Sequence, residues 1–166
     1  MYRQTGDFLR DWAYESESTL KLLRNINQEH FSHKSHENVR DIATLTRHMV
    51  HSVGEMLNRT GLEVYMPDEQ ELETYSPEQV ADAYERVADS AANEVQTKWN
   101  DGTLEHKVNL YGEEWANGYT LLVLLLHQAH HRGQLTVLMR QAGLPLSGVY
   151  GPTKEEWESM GLPPMK

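Results

Sequence analysis

Between Leu121 and Gln134 the chain reads Leu-Leu-Val-Leu-Leu-Leu-His-Gln-Ala-His-His-Arg-Gly-Gln. This apolar run passes directly into three histidines within five positions, and the whole stretch reads as part of one long helix. His127 and His131 are four residues apart, which stacks them on one helix face with Cβ atoms roughly 5–6 Å apart. Two imidazoles so placed can share one metal ion at about 2.0–2.1 Å per bond. A third ligand then has to come from another element. The chain is therefore read as a helical bundle with a three-histidine metal site.

Helical angles of about 100° per residue select the inward-facing histidines. With His127 at 0°, Thr120 and Leu138 fall near about 20°, Leu124 near about 60°, Val123 near about −40° and His131 near about 40°. This places His127 and His131 within an apolar stripe, with His130 at its edge. Arg132 and Arg140, at about 140° and −140°, belong on the opposite side. On a second predicted helix, Ile42, Leu45, Met49, Val53 and Met56 share one direction, and His48 lies nearer to it than His51. His48 is thus the expected third ligand.

Four long helices and one short one are expected. The first covers about Tyr2 to Gln28, with Phe8, Leu9, Trp12, Leu20, Leu22 and Leu23 as its apolar face. The second runs from about Val39 to Arg59 and stops at Thr60-Gly61, where glycine can take the left-handed cap conformation. The third opens at Ser76-Pro77-Glu78-Gln79, a capping box with proline at the first helical position. The fourth runs from about Tyr119 to Ala142 and closes at Gly143-Leu-Pro145, with Gly133 read as a point of close helix packing. A short C-terminal helix starts at Thr153, with Glu156 as its capping partner. About sixteen residues separate helices two and three and about nineteen separate helices three and four, too many for a simple up-down-up-down bundle. The first connection (Gly61 to Tyr75) is long enough to cross the bundle and make helices two and three parallel. The second, with Val108, Leu110 and Trp115 between glycines, suits a small hairpin or an end-covering loop.

Composition narrows the function. The 25 acidic against 15 basic residues, a net charge of −10, argue against nucleic acid as a partner, since phosphate tracking rests on clustered Lys and Arg. There is no cysteine, so disulfides, thiolate ligands and a cysteine nucleophile are excluded. The longest aliphatic run, Leu121 to Leu126, falls far short of the roughly 20 residues of a membrane span. No signal-peptide pattern opens the sequence, and a cytoplasmic location is expected. Leu125 and Leu126 flank the inward stripe and predict burial against a second copy in a two-fold homodimer.

Helix two carries Ile42-Ala-Thr-Leu45-Thr-Arg-His48-Met49, and helix four carries His127-Gln-Ala-His-His131-Arg-Gly-Gln134, ending in Ala142-Gly143-Leu144-Pro145. In these residues, and in the order and spacing of its elements over nearly the whole chain, the sequence resembles the DinB/YfiT-like superfamily. The resemblance implies one domain over residues 1–166, all-α, an up-down-down-up four-helix bundle with a short extra C-terminal helix, often dimeric. It also implies a divalent metal held by three histidines, which map by motif onto His48, His127 and His131. Characterised members of such families are mostly thiol-dependent transferases and related isomerases or hydrolases.

Three neutral imidazoles leave coordination positions open, the pattern of a catalytic rather than a structural zinc site. Zinc and nickel lead as the ion, with iron, manganese and copper also admitted by an all-imidazole set. Because the chain has no cysteine, any thiol must be a diffusing partner, here a low-molecular-weight thiol that meets a small electrophile. Peptidase chemistry of the His-Glu-x-x-His type is excluded, because Gln128 stands where the glutamate base is needed. The leading expectation is a metal-dependent thiol S-transferase. The alternatives are a non-catalytic metal-binding stress-response protein and a metal-dependent hydrolase or isomerase of the same fold. No catalytic base is assigned. Histidine protonation is expected to compete with the metal below about pH 6.

Overall fold

The structure is a computed structural model that describes residues 1–163. Four long helices dominate it: α1 (Thr5–Leu23), α2 (Ile42–Asn58), α4 (Pro77–Lys98) and α5 (Asn117–Gln141). Between α2 and α4 lies a single turn, α3 (Glu69–Leu72). Strands β1 (Lys107–Leu110) and β2 (Glu113–Ala116) precede α5, and α6 (Lys154–Ser159) follows it.

Hydrogen bonds between the helices give their directions. Trp12 Nε1 donates to Ala88 O at 3.0 Å, while Arg24, just past the end of α1, reaches Asp82 and Glu85 in the first half of α4. These two helices are antiparallel. Tyr2 N donates to Gly118 O, Arg132 pairs with Glu15, and Asn25 donates to Ser147, so α1 and α5 run in the same direction. Arg47 early in α2 donates to Tyr75 O just before α4, and Tyr65 N, beyond the end of α2, donates to Ser90 further along α4. Helices α2 and α4 are therefore parallel, and the bundle is up-down-down-up. The long Gly61–Tyr75 connection crosses its length, as the loop length predicted.

Local signals fix the helix ends, and α2 starts at Ile42 rather than at the expected Val39. Asp41 Oδ1 caps α2 by accepting from Thr44 N at 2.7 Å, and Ser76 with Gln79 forms the capping box of α4. Thr153 with Glu156 caps α6. Gly61 (φ 87°) and Gly143 (φ 74°) take the left-handed conformation after α2 and α5. The second connection holds the hairpin, with Lys107 opposite Ala116 and Leu110 opposite Glu113. Its turn residues Tyr111 (φ 55°) and Gly112 (φ 89°) both have positive φ, as a type I′ turn demands.

Several expectations need correction. Helix α1 ends at Leu23, not near Gln28, and Gln28–His30 is a separate 3-10 turn capped by Asn27. The turn α3 was not legible in its acidic sequence. Gly133 is exposed, and a Cβ there would meet open space. The tight glycine of α5 is Gly118, where a Cβ would lie 2.2 Å from Tyr2 O.

Arg132 is the largest departure. It is buried, with a side chain 2% exposed, and it pairs with Glu15 while donating to Thr19 Oγ1 at 3.1 Å and Tyr150 Oη at 2.5 Å. The buried arc of α5 runs through Leu121, Leu124, Gln128, Leu135 and Met139, so its centre lies at about 80–100° on the angular scale above. A helix that touches both α1 and α2 buries a wide arc, and polar residues occupy its middle. Gln128, fully buried, donates to Met49 O at 3.0 Å and Ser52 Oγ at 3.1 Å and accepts from Tyr84 Oη at 3.4 Å. Most of the core is apolar, with Phe8, Trp12, Leu22, Leu45, Met49, Val53, Val87, Leu124 and Leu135 all but inaccessible. Each such side chain stabilises the fold by about 1.5–3 kcal/mol. Among the described residues no helix is long and apolar enough to cross a membrane.

Candidate metal centre

The offset of the buried arc leaves His127 at its edge, half-buried, and His131 inside it, 6% exposed. Opposite them, α2 presents His48. Gln128 sets this register. By bonding Met49 O, one residue past His48, it holds the two helices with three imidazoles facing one point.

The three Nε2 atoms form a near-equilateral triangle. His48 lies 3.1 Å from His131 and 3.4 Å from His127, and His127 and His131 are 3.1 Å apart. Three nitrogens around a tetrahedral ion at about 2.0–2.1 Å are separated by about 3.3–3.4 Å. The triangle fits one such ion, and His48, His127 and His131 could hold it.

Proton placement supports the fit. His131 Nδ1 lies 2.8 Å from Gln134 Oε1, an acceptor only, so the ring carries its proton on Nδ1 and turns the Nε2 lone pair toward the triangle. Gln134 Nε2 in turn lies 3.0 Å from His130 Nε2. His130 thus touches the site through Gln134, and Gln134 orients the His131 ring. Such outer partners fix the tautomer of a ligating histidine. His127 Nδ1 is buried without a hydrogen-bond partner among the described residues.

All three rings are held in the neutral form. Burial is the main cause, lowering His48 and His127 to about 4. His131 is also lowered by burial, opposed by its bond to Gln134. The cationic Arg40 side chain and the neighbouring imidazoles push all three in the same direction. Neutral imidazole is the form that ligates a metal.

A cleft of about 580 Å³ opens beside His131, bordered by Arg40, Leu45, His130, Gln134, Val137 and Leu138. A smaller one of about 190 Å³ borders His48 and His51 on the other side. His51 therefore lies near the triad without joining it. His30 bonds Asn27 and His36 caps a turn at Asn38, so both serve the loop before α2, while His33 between them is half-buried with Nε2 unpartnered among the described residues. Two contributors escaped the sequence reading. Gln128 was read only as a missing base, and Arg40 carried no signal because it precedes the periodic part of α2.

The fold and the histidine triad together place this chain in a known class: it belongs to the DinB family, whose model matches residues 1–164. Its relatives include the uncharacterized protein YrdA of Bacillus subtilis strain 168, 36% identical over 162 residues, which span 98% of this chain and 97% of YrdA. The crystal structure of a DinB-like protein from Bacillus cereus ATCC 10987 superposes with a TM-score of 0.85 at 35% identity, covering 90% of this chain and 100% of that one. A second DinB-like protein, YjoA of Bacillus subtilis, shares the fold at a TM-score of 0.64 and 18% identity, with 84% and 96% coverage.

Proposed function

We propose that this protein is a metal-dependent enzyme of the thiol S-transferase type, with His48, His127 and His131 as the ligands of one divalent ion, zinc or nickel in preference to iron, manganese or copper. The observation that carries the reading is the Nε2 triangle, with edges of 3.1–3.4 Å, at the edge of a cleft large enough for a small substrate. A divalent ion bound there would lower the pKa of a thiol or water enough to ionise it near neutral pH.

The chain's own residues supply the remaining requirements. Burial keeps the three rings neutral, Gln134 fixes the proton of His131, and Gln128 holds α2 and α5 in register. Leu45, Val137 and Leu138 give the cleft an apolar wall against which an electrophile can be held away from bulk water. The thiol is external, because the chain contains no cysteine.

The test has two arms. Metal analysis of protein purified without a polyhistidine tag should return about one divalent ion per chain. Glutathione, bacillithiol and mycothiol should then be screened with a generic electrophile, with added metal and after chelation. Metal-dependent thioether formation with one of the thiols supports the reading. A metal-loaded protein inert toward all three is instead a non-catalytic metal binder or a hydrolase or isomerase.

A further inference from the structure

The large cleft has one cationic border residue and no carboxylate. Arg40 lines it together with the apolar Leu45, Val137 and Leu138 and with His131 and Gln134. Most of the other arginines of this acidic chain are paired. Arg10, Arg24, Arg47, Arg59, Arg132 and Arg140 each hold a carboxylate, and Arg86 lies over the Tyr65 ring. Arg3 and Arg40 make no such pairing among the described residues, and of the two only Arg40 borders the cleft. Arg40 also borders the smaller cleft, but there Arg47 is already paired with Glu73, and the Glu69 and Glu73 carboxylates disfavour an anion. An exposed, unpaired guanidinium at the mouth of an otherwise neutral cleft is suited to a bidentate hydrogen bond with a carboxylate.

We propose that Arg40 is the anion anchor of the large cleft, and that the molecule brought to the triad is a small carboxylate with an apolar body lying along Leu45, Val137 and Leu138. The inference extends the transferase reading by naming the substrate class, while the binding itself needs no metal. The carboxylate belongs either to the electrophile or to the thiol, and the two sources are separable by choice of probe. Hexanoate carries a carboxylate and an apolar tail without sulfur. Glutathione carries carboxylates and the thiol.

Each probe is titrated into metal-free protein and followed by NMR shifts of Val137 and Leu45, in wild type, Arg40→Ala and Arg40→Lys. Chelation removes direct carboxylate–metal bonding from the measurement. Hexanoate or glutathione should bind about tenfold more weakly to Arg40→Ala, with partial recovery in Arg40→Lys. Uncharged hexanamide should bind wild type and Arg40→Ala alike. Dependence on Arg40 for hexanoate alone places the carboxylate on the electrophile; dependence for glutathione alone places it on the thiol. Equal affinities of wild type and Arg40→Ala for both probes overturn the proposal. So does an equal loss of hexanamide binding, because the cleft would then have collapsed rather than lost a charge. Metal content measured on the same preparations keeps the two readings apart. A protein purified without metal undoes the metal centre and leaves the Arg40 result standing.

Discussion

Lowering the pH of the metal-free protein should destabilise it through the histidine triad. Folded, His48 and His127 titrate at about 4, against about 6.5 in an unfolded chain. Between those values the unfolded chain binds protons that the folded chain refuses. Stability therefore falls as the pH falls, starting near pH 6.5 and ending near pH 4. At about 1.4 kcal/mol for each pH unit, each depression corresponds to about 3 kcal/mol. Both rings are partly exposed, and solvent screening reduces that by roughly half. The pair together should cost about 3 kcal/mol across the window, or about 6–12 °C in melting temperature for a chain of this size. His131 acts in the same direction. The assay is urea unfolding of chelated wild type and His127→Gln between about pH 7.5 and pH 4.5. Protonation of carboxylates is common to both proteins and cancels in their difference. The variant should lose about 1.5 kcal/mol less than wild type over this range. Parallel pH curves, agreeing within about 0.5 kcal/mol, would refute the argument that the fold holds these rings neutral. The same depression moves the expected onset of proton competition for a bound ion from about pH 6 toward about pH 4. A chelation-dependent melting shift should accordingly survive at about pH 5.

Three further outcomes are expected. His48→Ala, His127→Ala and His131→Ala should each lose most bound metal while His30→Ala keeps it, measured by elemental analysis; full retention in His131→Ala removes the shared site. Arg132→Met should destabilise by about 3–5 kcal/mol, because it leaves the Glu15 carboxylate buried and unpaired, whereas the double variant Glu15→Leu/Arg132→Met should recover most of that loss. Denaturant midpoints decide between these, and additive losses in the double variant count against a coupled pair. Leu126 is 59% exposed on the outer side of α5, and sedimentation at micromolar concentration should report a two-fold dimer that Leu126→Glu weakens; a monomeric wild type contradicts it.

Signals carried by a few neighbouring residues were legible in the sequence alone. The capping boxes at Ser76 and Thr153, the left-handed glycines Gly61 and Gly143, and the i, i+4 pair His127/His131 each depend on contacts within one or two turns. Loop length also carried through, because a connection of about fifteen residues can cross a bundle where a short one cannot. The choice of His48 over His51 followed from one apolar stripe on α2, and it is His48 whose ring nitrogen lies beside those of His127 and His131.

Only the tertiary structure decided which way α5 faces. Periodicity weights apolar residues, so it centred the buried arc near Thr120, Leu124 and Leu138 and set Arg132 outside. A helix wedged between α1 and α2 buries polar side chains as well, provided each finds a partner, and those partners lie far away in sequence. Glu15 meets Arg132 across 117 positions and Met49 meets Gln128 across 79. No local pattern encodes such pairings. The position of Arg40 is of the same kind, since an unpaired charge becomes significant only once the cleft beside it exists. The residue types able to form a three-imidazole site could be read from the chain; the triangle they make, and what borders it, exist only after α2 and α5 have packed.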